Sequence, residues 1–282
     1  MSTPVPNTEF PCARVERSLQ KTYCKRIWNP FTKALKQYEL LAPGDQAAVC
    51  VSGGKDSFLL AKLMQMLQRH SDFSFSLRFL CMDPGYSAVH RACIEANAAR
   101  LEIPLEVFES DIFAAVEQVG GSPCYLCARM RRGHLYKEAQ ARGCNKIALG
   151  HHFNDVVETT LMGMLYGAQI QAMPPKLKSK NYCGMQLIRP LYCVHEEDIL
   201  AWQRLHGLEF LRCACRFTEQ NAKSADRIGA SKRQEMKQLL RHLKQAHPDV
   251  EKCIFQSIHN VRLDTLVQYT HHGVEHSFLE EF

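Results

Sequence analysis

Two short stretches of this chain hold residues that do chemistry together only if the fold brings them close. In SGGKDS, Ser52 to Ser57, paired glycines precede a lysine, an aspartate and a serine. Successive glycines let backbone N–H groups approach phosphate oxygens, and a helix opening near Asp56 turns the positive end of its dipole toward them. Gly53 and Gly54 therefore predict an anion cradle. A Walker A loop would carry a glycine five residues before Gly54 and a Ser or Thr directly after Lys55, but Val49 and Asp56 stand there. The second stretch is SPCYLCARMRRGHLY (122–136), in which Cys124 and Cys127 have a spacing suited to one metal centre or a redox disulfide. The neighbouring Arg129, Arg131 and Arg132 favour thiolates. Downstream, FLRCACRF adds Cys213 and Cys215, a tighter pair than the usual half of a zinc ribbon. Zinc held by all four cysteines is one reading. An iron–sulfur cluster normally takes four thiolates, so binding by Cys124, Cys127 and only one of the later pair would leave one iron open to sulfide.

The elements that must position these residues follow from short apolar runs bounded by turn signals: 47–51, 76–82, 105–108 and 146–150. Helix-like stretches lie between them at 57–69, 88–101 and 125–142. Strands alternating with helices of this length predict an α/β fold, a parallel sheet with helices on both faces. A helix over 153–166, a basic loop over 172–181, a strand near 186–189, a helix over 196–206 and a helical tail from 230 complete the reading. Residues 13–38 read as a helical lead-in. The expected division is a helical segment 1–44, a nucleotide domain 45–220 that includes the cysteines, and a helical segment 221–282.

At 282 residues and 46% apolar content the chain can bury a substantial core. No apolar run reaches membrane-spanning length and the first residues lack a signal-peptide core, so no membrane partner and a cytoplasmic location are expected. Thirteen cysteines, an odd number in a chain without an export signal, point to metal or redox chemistry rather than disulfides. Cys50 and Cys81, in apolar strands, are read as small buried hydrophobes. The net charge of +6 is unevenly placed, with basic clusters at 21–26, 127–132, 174–180 and 230–244. Such clusters suit a polyanion such as RNA, or a solvated face.

Placed after the first strand, SGGKDS resembles the pyrophosphate loop of the N-type ATP pyrophosphatases, PP-loop enzymes of the adenine nucleotide alpha-hydrolase-like fold. These transfer AMP to a carbonyl oxygen and release pyrophosphate. The resemblance implies that Ser52, Gly53, Gly54, Lys55 and Ser57 hold ATP and that Asp56 binds magnesium (Mg2+) or organises the reacting centre. Together with PCYLCARMRRGHLY, KIALGHHFNDVVETTLMGMLYG, AMPPKL and LIRPL, the chain from about residue 17 to about 265 resembles the bacterial tRNA 2-thiocytidine synthetases, the TtcA-like enzymes.

That resemblance implies ATP-dependent replacement of the 2-oxo group of an anticodon-loop cytidine by sulfur, with a [4Fe-4S] cluster held by three cysteines. It assigns Asp155 to catalysis, Gly150 and His151 to the nucleotide, and Lys176, Arg129 and Arg132 to tRNA. Arg131, one helical turn after Cys127, would orient the sulfur or the substrate oxygen. His151 and His152 follow a predicted strand end, where open α/β sheets bind ligands, and read as ATP contacts or as turn histidines; Lys176 reads as an RNA or substrate contact or a solvated lysine, and Trp202 and Tyr192 either stack on a base or sit in the core. The chain departs from the family in two places: Asn154 replaces the first carboxylate of GHHxDD, and the C-terminal cysteine pair is CAC rather than CxxC. Register from LIRPL favours Cys213 as the third ligand over Cys215. A sulfur donor such as a cysteine desulfurase system and a homodimer are further expected partners. The alternatives are a uridine thiolase and a nucleotide-binding iron–sulfur sensor without catalysis. A carbonyl oxygen is a poor leaving group and adenylation turns it into AMP, which explains why one chain carries both a pyrophosphate cradle and a cysteine cluster.

Overall fold

A computed structural model describes residues 12–110, 123–211 and 232–281. Its core is built by alternation along the strands. In β1 (Gln46–Cys50) and the residue after it, Val49 and Val51 enter one apolar cluster while Ala48 and Cys50 enter another, because successive side chains leave a strand on opposite faces. The same alternation divides Phe79 and Cys81 from Leu80 and Met82 in β2 (Ser76–Asp83). A sheet with two apolar faces has to be covered on both.

One face is covered by α1 (Cys12–Gln20), α2 (Asn29–Gln37), α3 (Lys55–His70), α4 (Ala88–Arg100) and α7 (Glu196–Leu205). The other receives Leu135, Tyr136 and Ala139 of α5 (Pro123–Ala141). A π-helical segment, Cys24–Trp28, joins α1 to α2 just before Pro30, which has no N–H to continue a regular ladder. The lead-in is therefore helical as expected, and its Val15, Leu19, Ile27 and Phe31 are fully buried in the sheet's core.

The remaining strands are β3 (Leu105–Glu109), β4 (Lys146–Ala148), β5 (Lys176–Lys178) and β6 (Gln186–Ile188). Their order is β3-β2-β1-β4-β6-β5, and every pairing is parallel except that of β5 with β6. The parallel α/β expectation holds. The basic loop 172–181 is corrected in part, since Lys176–Lys178 form an antiparallel edge strand. Three residues among prolines and lysines carry too little pattern to announce a strand.

The chain divides into two compact units, Met1–Asp155 with Pro174–Ile228, and Val156–Met173 with Gly229–Phe282. Helix α6 (Phe153–Gly167) begins in the first and continues in the second. Within the second unit, buried Glu158 of α6 lies 3.7 Å from both Arg233 and Lys237 of α8 (Lys232–Ala246). Lys244 of α8 pairs with Glu251 of α9 (Val250–Ser257) at 3.0 Å. The helical reading of the tail fails at its end, where β7 (Gln268–His271) and β8 (Val274–Ser277) form a hairpin. His272 and Gly273, both at positive φ (51° and 82°), make the tight turn that matches strand twist. No helix among the described residues is long and apolar enough to cross a membrane.

Candidate active site at the sheet's switch point

From β1 the sheet grows one way to β2 and β3 and the other way to β4 and β6. Such a reversal opens a crevice beyond the carboxyl ends of the strands, where α/β proteins bind ligands. SGGKDS leaves β1 at this place, and GHHFND leaves the neighbouring β4. Gly53 takes a left-handed φ of 87°, and Gly54, with φ −85° and ψ 161°, caps α3. The Ser57 hydroxyl fastens the loop to itself: it accepts from the Ser52 N–H at 3.1 Å and donates to the Gly54 carbonyl at 2.9 Å. The loop is therefore shaped before any ligand arrives. Its backbone and the N-terminus of α3 stand where the sequence predicts an anion cradle, and the described use of the Ser57 hydroxyl is as the loop's fastener.

Lys55 Nζ lies 3.1 Å from Asp56 Oδ2 and 3.1 Å from Glu196 Oε1. Burial opposes the lysine's charge, but these two carboxylates more than offset it and hold its pKa above the ordinary lysine value. The other oxygen of Asp56, Oδ1, is buried without a hydrogen-bond donor among the described residues. It faces His152 Nε2 at 3.8 Å, and the same Nε2 is 3.5 Å from Asp155 Oδ2. The His152 backbone N–H donates to Asp155 at 3.0 Å, fixing that carboxylate at the start of α6. The two catalytic aspartates expected from the sequence, 99 positions apart by their numbering, thus meet across one imidazole.

Gly150 permits this meeting. A Cβ there would stand 3.0 Å from the Asp56 carbonyl carbon, 3.1 Å from its oxygen and 3.1 Å from the Ser57 nitrogen. Those atoms belong to the first turn of α3, which the Ser57 fastening holds in place. A Gly150→Ala variant is expected to lose about 1–3 kcal/mol, the usual cost of overpacking. It should also weaken ATP binding, because the displaced backbone is the cradle; thermal melting and ATP titration check both.

His151 follows Gly150 and is half-buried. Sequence reasoning weighed His151 and His152 together as ATP contacts or turn histidines, carried only His151 forward as a site residue, and gave no role to Glu196. The histidine pair after the predicted strand 146–150 was the available signal, and the fold buries the second of the pair, His152, to 3% exposure. Glu196 is separated from Lys55 by 141 positions and had none. Asn154 is explained by packing: its Oδ1 accepts the Glu196 N–H at 2.9 Å, capping the first turn of α7.

Cys124 and Cys127 occupy positions one turn apart at the start of α5. Cys213 and Cys215 lie outside the described residues, as does the side chain of Arg129. Arg131 is half-buried, its Nε inaccessible and without an acceptor among the described residues, and Arg132 is exposed. Lys176 is half-buried on β5 and donates to the Glu39 carbonyl at 2.6 Å. Trp202 and Tyr192 are 0% and 1% exposed, which removes the base-stacking reading and makes them core. Cys50 and Cys81 are buried as expected, and burial pushes the Cys81 thiol up to about 12. Among the described residues no group of three or more His, Cys, Asp or Glu forms a ready metal cage.

Comparison with known proteins gives the family. Residues 22–216 match the ATP_bind_3 family, described as a PP-loop domain. The chain is 34% identical over 241 residues to the tRNA-cytidine(32) 2-sulfurtransferase of Cellvibrio japonicus, covering 84% of this chain and 76% of the relative. It is 33% identical over 252 residues to the enzyme of that name from Geotalea uraniireducens, covering 86% and 96%. Among solved structures, the U34-tRNA thiolase NcsA from Methanococcus maripaludis with its [4Fe-4S] cluster superposes with a TM-score of 0.64 at 19% identity. That match covers 82% of this chain and 77% of the other, and shows a shared fold. With its phosphate loop at the switch point and these relatives along most of its length, the chain belongs to the PP-loop family that contains the tRNA-cytidine(32) 2-sulfurtransferases.

Proposed function

We propose that this protein is an ATP-dependent tRNA thiolase that replaces the 2-oxygen of cytidine 32 with sulfur. The observation that carries the reading is the meeting of the SGGKDS cradle, Asp56, His152 and Asp155 at one crevice. Backbone N–H groups of the cradle and the α3 dipole hold the pyrophosphate end of ATP, leaving the α-phosphate toward the carboxylates. Attack by the cytosine 2-oxygen on that phosphorus releases pyrophosphate, which the cradle already binds. AMP is then the group that sulfur displaces from C2.

The donors present fit the groups this chemistry uses. The bare, buried Asp56 Oδ1 suits a hard cation, and magnesium needs only one or two carboxylates beside substrate phosphates and water. Asp56 and Asp155 would hold it, and when bound it supplies charge that offsets the phosphates. Cys124 and Cys127, one turn apart on α5, offer soft thiolates, and Cys213 or Cys215 would complete the set. When bound there, a [4Fe-4S] cluster supplies the site to which sulfur is delivered. Arg131 would orient sulfur or the substrate oxygen, while Arg129, Arg132 and Lys176 would supply positive charge for tRNA phosphates. Sulfur comes from a donor such as a cysteine desulfurase system, in the cytoplasm.

Cytidine, rather than uridine, follows the names of the relatives that the chain matches. Nucleoside mass spectrometry of tRNA from cells lacking the protein tests it. Loss of 2-thiocytidine, restored by the wild-type chain, is expected. Loss of a different thionucleoside would move the substrate to uridine, and no loss would point to a sensor.

A further inference from the structure

Arg189 follows β6 at its carboxyl end, on the crevice side of the sheet. Leu149 N donates to the Ile188 carbonyl at 3.0 Å, so Arg189 leaves the sheet beside the backbone that runs on to Gly150 and His151. The residue is only 5% exposed. One guanidinium nitrogen, Nη1, donates to the Pro174 carbonyl. Its Nε is buried without an acceptor among the described residues. No described carboxylate forms an ion pair with it; Asp155 acts on it only as a weak, more distant charge. Burial pushes its pKa down to about 10, which still leaves it charged at neutral pH.

A buried cation without a counter-charge is costly, and buried charges in proteins are ordinarily paired. A purely structural arginine would spend its donors on the protein, whereas this one keeps the Nε–Nη2 edge without a described acceptor. That planar edge is the one that matches an oxyanion bidentately. The surroundings add charge of the same sign. Arg132 of α5 is close enough to depress the Arg189 pKa, and Lys178 and Lys180 are exposed on and after β5.

We propose that Arg189 is an anion-recognition residue whose Nε–Nη2 edge takes a phosphate oxyanion of the substrates. Two sources carry that chemistry, a phosphate of ATP and a backbone phosphate of the tRNA. The assignment rests on the thiolase reading above, which supplies both.

The test uses the full chain with Arg189→Met and Arg189→Lys, titrated separately with ATP and with tRNA. The Met variant is expected to bind one of the two about 10- to 100-fold more weakly, the usual weight of charge-assisted hydrogen bonds. Its melting temperature without ligand should stay level or rise, because a buried charge with no described counter-charge is gone. The Lys variant, which keeps the charge but not the planar fork, should fall between wild type and Met. Weaker ATP binding alone assigns the nucleotide; weaker tRNA binding, with a salt slope lower by about 0.7 to 0.9, assigns the RNA backbone. If wild type binds both ligands and both variants bind like it, Arg189 has no such role. A Met variant too unstable to titrate leaves the decision to the Lys variant, where unchanged binding of both ligands again overturns the assignment. Wild-type protein that binds neither ligand would sink the thiolase reading itself, and this assignment with it.

Discussion

An Asp56→Asn variant is expected to lose thiolation and ATP-dependent pyrophosphate release by about 10²–10³-fold, the scale on which removing one preorganised charged contact slows an enzyme. The substitution is almost isosteric. The amide oxygen can still accept from Lys55, which lies 3.1 Å from Oδ2, so the cradle and the first turn of α3 should keep their shape. What disappears is the negative charge on the oxygen that is buried without a donor and faces His152. Iron and sulfide content should not change, because the cysteines come from α5 and from the segment carrying 213 and 215. Normal pyrophosphate release by the variant would remove Asp56 from the adenylation step.

The cysteines carry the second large effect. Protein purified without oxygen is expected to be brown and to contain iron and sulfide, and Cys124→Ala or Cys127→Ala should remove both. Thiolation should then fall by more than the about 10–100-fold that changes outside the ligand set cost. At the CAC pair the result should be unequal: Cys213→Ala behaves like the first two, and Cys215→Ala keeps iron and sulfide. The reverse inequality would move the ligand two positions. If both were required and the metal were zinc, the centre would be a closed structural one. Sulfur would then have to arrive on another cysteine, and an iron left open for it would no longer be the explanation.

Most of the sheet was legible because β1, β2, β3 and β4 are apolar runs alternating with long helices, a pattern that local periodicity reports directly. The cradle was legible for a related reason: its glycines, its lysine and its helix start are neighbours in sequence. Strand β5 escaped because three residues between prolines and lysines do not establish a period. The terminal hairpin escaped because its turn, His272–Gly273, lacks the Asn or Asp that usually marks one. Glu196 escaped as a site residue, and His152 was not singled out from His151, for a different reason. Their roles are set by atoms of Asp56 and Lys55, and that proximity exists only after β1, β4 and α7 have packed. Asn154 looked like a lost carboxylate in the motif, and the fold shows it employed as a helix cap.

The pairing of Lys55 with Asp56 and Glu196 affects how binding responds to ionic strength. A lysine on an open surface collects mobile anions and sets them free when a polyphosphate arrives, and that dilution entropy makes affinity fall steeply as salt rises. Lys55 has its counter-charges built into the polypeptide. They can swing aside but cannot diffuse away, so a phosphate that displaces them gains no mixing entropy at this contact. ATP affinity should therefore be nearly flat across a salt series in which tRNA affinity, drawn by exposed Lys178, Lys180 and Arg132, declines sharply. At high ionic strength the protein would still retain nucleotide after it has let go of RNA.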